Sequence, residues 1–116
     1  MDVEVLFSGM AVSDFAASQA WYERFLARPA DVIAHENEVM WRVTDTGWLY
    51  IVRDTDHAGN GIVAMAVSDI EAATSALAAR DVLTGPIEPE GDAGRKAVAR
   101  DPDGNEIAII EVAGGD

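Results

Sequence analysis

At 116 residues with a net charge of −13 and no cysteine, the chain fits one ordinary domain. A globule of this size buries roughly two-thirds of its extended-chain surface without staples, and the lack of cysteine excludes disulfide frameworks, thiol nucleophiles and Cys-ligated metal centres. With 21 acidic against 8 basic residues, spread evenly along the chain, a basic nucleic-acid footprint and a polybasic membrane patch are excluded as well.

The start, Met1-Asp2-Val3-Glu4, is not the basic opening of a signal peptide, and no apolar run reaches the ~18 residues of a membrane span. A cytoplasmic protein is expected. The first apolar run ends in Met10-Ala11-Val12-Ser13-Asp14 and reads as a strand. Ser13 or Asp14 can cap the helix that follows, whose face carries Phe15, Ser18, Tyr22, Phe25 and Leu26, with Pro29 helping to close it. Three strands are expected next, around Val32-Ile33, Val39–Val43 and Trp48–Val52, with turns at His35–Glu38 and Asp45-Thr46-Gly47. Residues 54–61, polar and Gly-containing, read as a linker.

The opening pentapeptide then returns letter for letter as Met65-Ala66-Val67-Ser68-Asp69, 55 residues on. Again a helix follows, with Ile70, Ala73 and Leu77 on one side, broken before Thr84-Gly85-Pro86. Strands are expected around Val82-Leu83, Arg95–Ala99 and Ile107–Ile110, with turns at Gly91–Gly94 and Asp101–Asn105. The repeat predicts an α+β fold of two tandem βαβββ modules, about 1–56 and 60–113, within a single domain 1–116. Neither module buries its own faces well, so the two are expected to pair edges into a larger curved, partly open mixed sheet with helices on the convex face.

This arrangement resembles the glyoxalase, bleomycin-resistance and extradiol-dioxygenase superfamily of vicinal oxygen chelate proteins. The likeness is carried by Ala11–Asp14 leading to Trp21–Leu26, and by Gly94–Asn105 with its Asp-Pro-x-Gly-Asn turn. In that superfamily enzymes hold a divalent metal through a His or Gln on a module's first strand and a Glu on its last. The matching positions here are Phe7 (or Ser8), Ile62 (or Val63), Ala108, and Ile51 or Tyr50. They offer no useful ligand cluster, and no other cofactor is expected. His35 falls in a turn and His57 in the linker; both are expected on the surface. Asp54-Thr55-Asp56 opens like a calcium loop, but Ala58 and Met65 stand where further acidic ligands belong. No nucleophile elbow, phosphate loop or dinucleotide fingerprint is present, so the chain leans away from being an enzyme.

Strand alternation predicts the lining of the concave face. Phe7 and Gly9 point inward with Val5, as do Ile62, Ala64 and Ala66, and Glu106, Ala108 and Ile110; Ile107 and Ile109 pack under a helix. The small residues leave space, and Trp41, Trp48 and Tyr50 are expected to supply aromatic walls. The ligand-binding candidates are therefore Phe7, Trp41, Trp48, Tyr50, Ile62, Glu106 and Ala108. Glu106 is also the one weak catalytic candidate, as a counter-charge or general base, while Arg42 and Arg95 are expected in surface ion pairs. The resemblance implies a metal-free homodimer, with or without exchanged modules, that sequesters a small cationic or aromatic molecule, as in antibiotic resistance. A metal-dependent lyase or isomerase and a non-catalytic regulatory or assembly module are the alternatives.

Overall fold

In the computed structural model, which describes residues 1–92 and 94–112, both copies of the repeated pentapeptide run out of a strand into a helix. The elements in chain order are β1 (Leu6–Val12), α1 (Phe15–Leu26), β2 (Val32–His35), β3 (Glu38–Arg42), β4 (Gly47–Arg53), β5 (Ile62–Ala66), α2 (Ile70–Ala79), β6 (Glu88–Pro89), β7 (Gly94–Arg100) and β8 (Glu106–Val112). The fold is α+β, as the repeat predicts. Ala93, in the expected 91–94 turn, and residue 113, the expected end of the second module, lie outside the described residues.

Aspartate rather than serine caps each helix. The Asp14 carboxylate accepts from the Ala17 N–H at 3.1 Å and that of Asp69 from the Ala72 N–H at 3.0 Å, satisfying amides that the first helical turn leaves without a partner. Helix α1 ends at Ala27, whose left-handed φ of 62° turns the chain two residues ahead of Pro29.

Each half builds one mixed four-stranded sheet, ordered β1-β4-β3-β2 and β5-β8-β7-β6. In both, the first strand lies parallel to the last, an arrangement that requires the helix as crossover. Between the described residues of the two sheets there is no continuous backbone ladder: the modules do not pair edges but meet through side chains. The strand expected at Val82-Leu83 is also displaced. The Val82 N–H is taken by the Leu77 carbonyl as α2 ends, which keeps it from a ladder; Thr84 makes only an isolated bridge to Ala99, and β6 forms at Glu88–Pro89.

Alternation along the strands sends one set of side chains under the helices. Met10, Val12, Val39, Leu49 and Ile51 from the first sheet, and Ala97, Ala99, Ile107 and Ile109 from the second, are buried there. Helix α1 adds Trp21, Tyr22 and Phe25, with the Trp21 and Phe25 rings stacked 5.2 Å apart. Trp41 belongs to this core and not to the ligand face for which it was a candidate. Its position in β3 opposite Leu49 fixes it on the helix side, where it is fully buried 6.0 Å from Tyr22, its indole N–H donating to the Arg28 carbonyl at 3.0 Å.

A polar seam joins the halves. The Tyr22 hydroxyl donates to Asp101 at 2.8 Å, the Asn105 amide donates to the Ala11 carbonyl at 2.9 Å, and the Arg80 guanidinium donates to the Phe25 carbonyl at 3.0 Å. The Ser13 hydroxyl reaches Asp103. Asp101 and Asn105 thus give the Asp-Pro-Asp-Gly-Asn turn a second task besides closing its hairpin.

Candidate functional site

The sheet faces turned away from the helices carry the candidate site. Register pairs Phe7 with Trp48, Gly9 with Tyr50 and Met40 with Tyr50 in the first sheet, so all five residues share one face. In the second sheet Ile62 pairs with Glu106, Ala64 with Ala108 and Val98 with Ala108. The two sheets meet where Leu6 and Ser8 of β1 border a crevice with Val63, Ala64 and Met65 of β5.

This floor is apolar and uncovered. Phe7 is 50% exposed and Ile62 81% exposed. The Phe7 and Trp48 rings stack at 5.9 Å, inclined by 26°. Tyr50 lies flat over Gly9: a Cβ at position 9 would stand 2.2 Å from the Tyr50 ring, so the notch that glycine leaves is already filled by the phenol. The expectation of open space at position 9 is corrected accordingly, whereas Ala64 and Ala66 do stand exposed.

Of the seven candidates, Phe7, Trp48, Tyr50, Ile62, Glu106 and Ala108 lie on this face, and Trp41 does not. Glu106 lies at its margin, accepting from Arg100 at 2.9 Å. Met40 and Val98 belong to the same face and were missed. The signal for Met40 was present in the hairpin turn at Asp45-Thr46-Gly47, which sets the register of β3 on β4 and brings Met40 opposite Tyr50.

Several charged residues are held by partners. Arg95 holds Glu71 through two bonds of 2.6 and 2.9 Å and Glu111 at 2.8 Å, and the Ile70 N–H also donates to Glu111. Arg95, and for Glu111 the Ile70 amide as well, hold both carboxyls below their ordinary range; the Glu90 carboxylate raises Lys96. Asp69, Glu71 and Glu111 cluster closely enough to suit a cation, yet Arg95 and the helix amides fill that role. The Arg42 guanidinium donates to the Asp45 backbone carbonyl at 2.7 Å rather than to a carboxylate, so of the two surface ion pairs expected only that of Arg95 forms among the described residues. His35 and His57 are exposed, the latter 2.8 Å from Asp54.

The metal positions of the superfamily fail on the chemistry of their donors. Phe7, Ile62 and Ala108 present carbon to the floor, Tyr50 presents a phenol laid over Gly9, and Ile51 points into the core. These side chains do not form a divalent-metal site. No described helix is long and apolar enough to cross a membrane.

Residues 5–109 match the Glyoxalase/Bleomycin resistance protein/Dioxygenase superfamily, and the chain belongs to it. Among solved structures, a glyoxalase/bleomycin resistance protein from Catenulispora acidiphila DSM 44928 is 38% identical over 93% of this chain and 97% of that one, with a TM-score of 0.87. TnmS3, an antibiotic binding protein from Streptomyces sp. CB03234, shares the fold at 21% identity and a TM-score of 0.75, covering 94% and 95% of the two chains. The fosfomycin resistance protein FosX from Listeria monocytogenes does so at 16% identity and 0.72, covering 96% and 94%. None of the curated proteins compared with the chain matches it.

Proposed function

We propose that this protein is a cytoplasmic, metal-independent binder of a small, flat, apolar or cationic molecule, and that a second copy of the chain completes the site. The observation that carries this reading is the floor itself: aromatic and aliphatic carbon stands exposed where metal-dependent relatives need donors. A stacked, part-exposed Phe7–Trp48 pair suits a planar ring system. The net charge of −13 favours encounter with a cation. The fold is one that an antibiotic binding protein, TnmS3, also has. An open floor in one protomer gives a ligand a single wall, which is why a homodimer belongs to the reading.

Native mass spectrometry of untagged protein freshly purified from cells, with elemental analysis of the same sample, tests it. A metal-free dimer with a small organic adduct is expected. A stoichiometric divalent metal would overturn the reading and restore a lyase or isomerase.

A further inference from the structure

The polar groups around the floor are nearly all committed. Glu106 is held by Arg100, Lys96 pairs with Glu90 at 2.9 Å, and Glu38 lies 3.6 Å from His35. The Tyr50 hydroxyl differs, making no hydrogen bond among the described residues. Its place is defined by Gly9, since the hydroxyl oxygen lies 2.4 Å from where a Cβ of residue 9 would be. The phenol therefore reaches from β4 across to β1. Its oxygen thus lies over the Gly9 position of β1, on the face that Phe7 and Trp48 share.

We propose that Tyr50 is a specificity-determining residue whose hydroxyl donates a hydrogen bond to an acceptor, such as a ring carbonyl, on a flat fused-ring ligand. This rests on the binding reading above and adds the ligand's polar signature. The Phe7–Trp48 and Gly9–Tyr50 pairs are alternate rungs on one face, about 6.6 Å apart along the strands. A tricyclic ring system stacked on the first pair extends far enough to set an acceptor over the second. A ligand without an acceptor buries the phenolic O–H unsatisfied, which discriminates more sharply than lost contact area. Gly9 is part of the device, because any larger residue there displaces the ring that aims the hydroxyl.

The test is equilibrium dialysis of the purified protein with two neutral tricyclic probes of nearly one shape, 9-fluorenone with a ring carbonyl and fluorene without. Wild-type protein is expected to hold fluorenone roughly tenfold more tightly, the ratio expected of one neutral hydrogen bond. Tyr50→Phe is expected to abolish that preference, by weakening fluorenone and relieving the unsatisfied hydroxyl under fluorene, and Gly9→Ala to reduce the preference by moving the ring. Equal binding of the two probes by the wild type, or an equal loss of both in Tyr50→Phe, overturns the role of the hydroxyl and leaves the binding floor standing. If neither probe binds, the floor reading falls and this proposal with it; the same holds if a second copy of the chain seals the face.

Discussion

The Tyr22 hydroxyl, carried by α1 in the first half, donates at 2.8 Å to the Asp101 carboxylate in the last turn of the second half, and both groups are buried. Asp101 also accepts from the Asn105 side-chain amide at 2.8 Å, while Asn105 bonds back to the Ala11 carbonyl. Removing one donor from such a network leaves a buried acceptor short of its partner. Tyr22→Phe is expected to lower stability by about 1–3 kcal/mol, read from a shift of the urea midpoint with an unchanged slope.

The same pair sets an alkaline limit. Burial first, and then the negative charge of Asp101, raise the Tyr22 hydroxyl far above its ordinary value of 10.0. A group raised in the folded state favours folding below its unfolded value and loses that contribution as pH rises beyond it. Wild-type stability should therefore decline above about pH 10, and Tyr22→Phe should show a shallower decline. Parallel alkaline profiles for the two proteins would refute this.

The acid side depends on Arg95. Its guanidinium holds the Glu71 and Glu111 carboxyls below their ordinary value of 4.5, so their contribution is present above that value and lost as pH falls through the depressed ones. Thermal melts should show Glu111→Gln below wild type at neutral pH, with the gap closing as the solution is acidified below 4.5. A gap independent of pH would mean that the pair contributes through packing alone.

Two aromatic residues once grouped together should behave oppositely. Trp41→Ala empties a fully buried site and is expected to cost about 3–5 kcal/mol. Phe7→Ala, at a residue 50% exposed, is expected to cost less than about 1 kcal/mol while weakening any aromatic ligand. Urea titration and dialysis on the same two variants separate the roles.

Ile62→Asp places a charge on the floor at a residue 81% exposed in one protomer. Stability of the protomer should stay within about 0.5 kcal/mol, since the side chain touches little. Binding of fluorene, or dimer formation, should be lost. Retention of both would remove β5 from the site.

Much of this architecture is legible because its signals are local. The repeated pentapeptide marks two strand-to-helix junctions, and alternation alone puts Phe7, Ile62 and Ala108 on the open face and Ile107 beneath a helix. What escaped depends on partners distant in the chain. Nothing near Asp101 announces that a tyrosine 79 residues away will donate to it, and nothing near Gly9 says that the Tyr50 ring will cover it. Trp41 and Trp48 have the same composition signature, and only the register of β3 on β4 separates a core residue from a surface one. The displaced β6 has a similar cause: Val82 is apolar enough for a strand, but its amide is already spent on the end of α2.

Side chains, rather than a backbone ladder, span the line between β1 and β5. The breadth of the floor is therefore not tied to the ~4.8 Å spacing that hydrogen-bonded strands impose. Exchanging residues at Leu6, Ser8, Val63 or Met65 can widen or narrow it while both sheets stay intact. On the binding reading proposed above, a few side chains at the joint set the girth of ligand the floor takes, a dimension that a continuous sheet would fix.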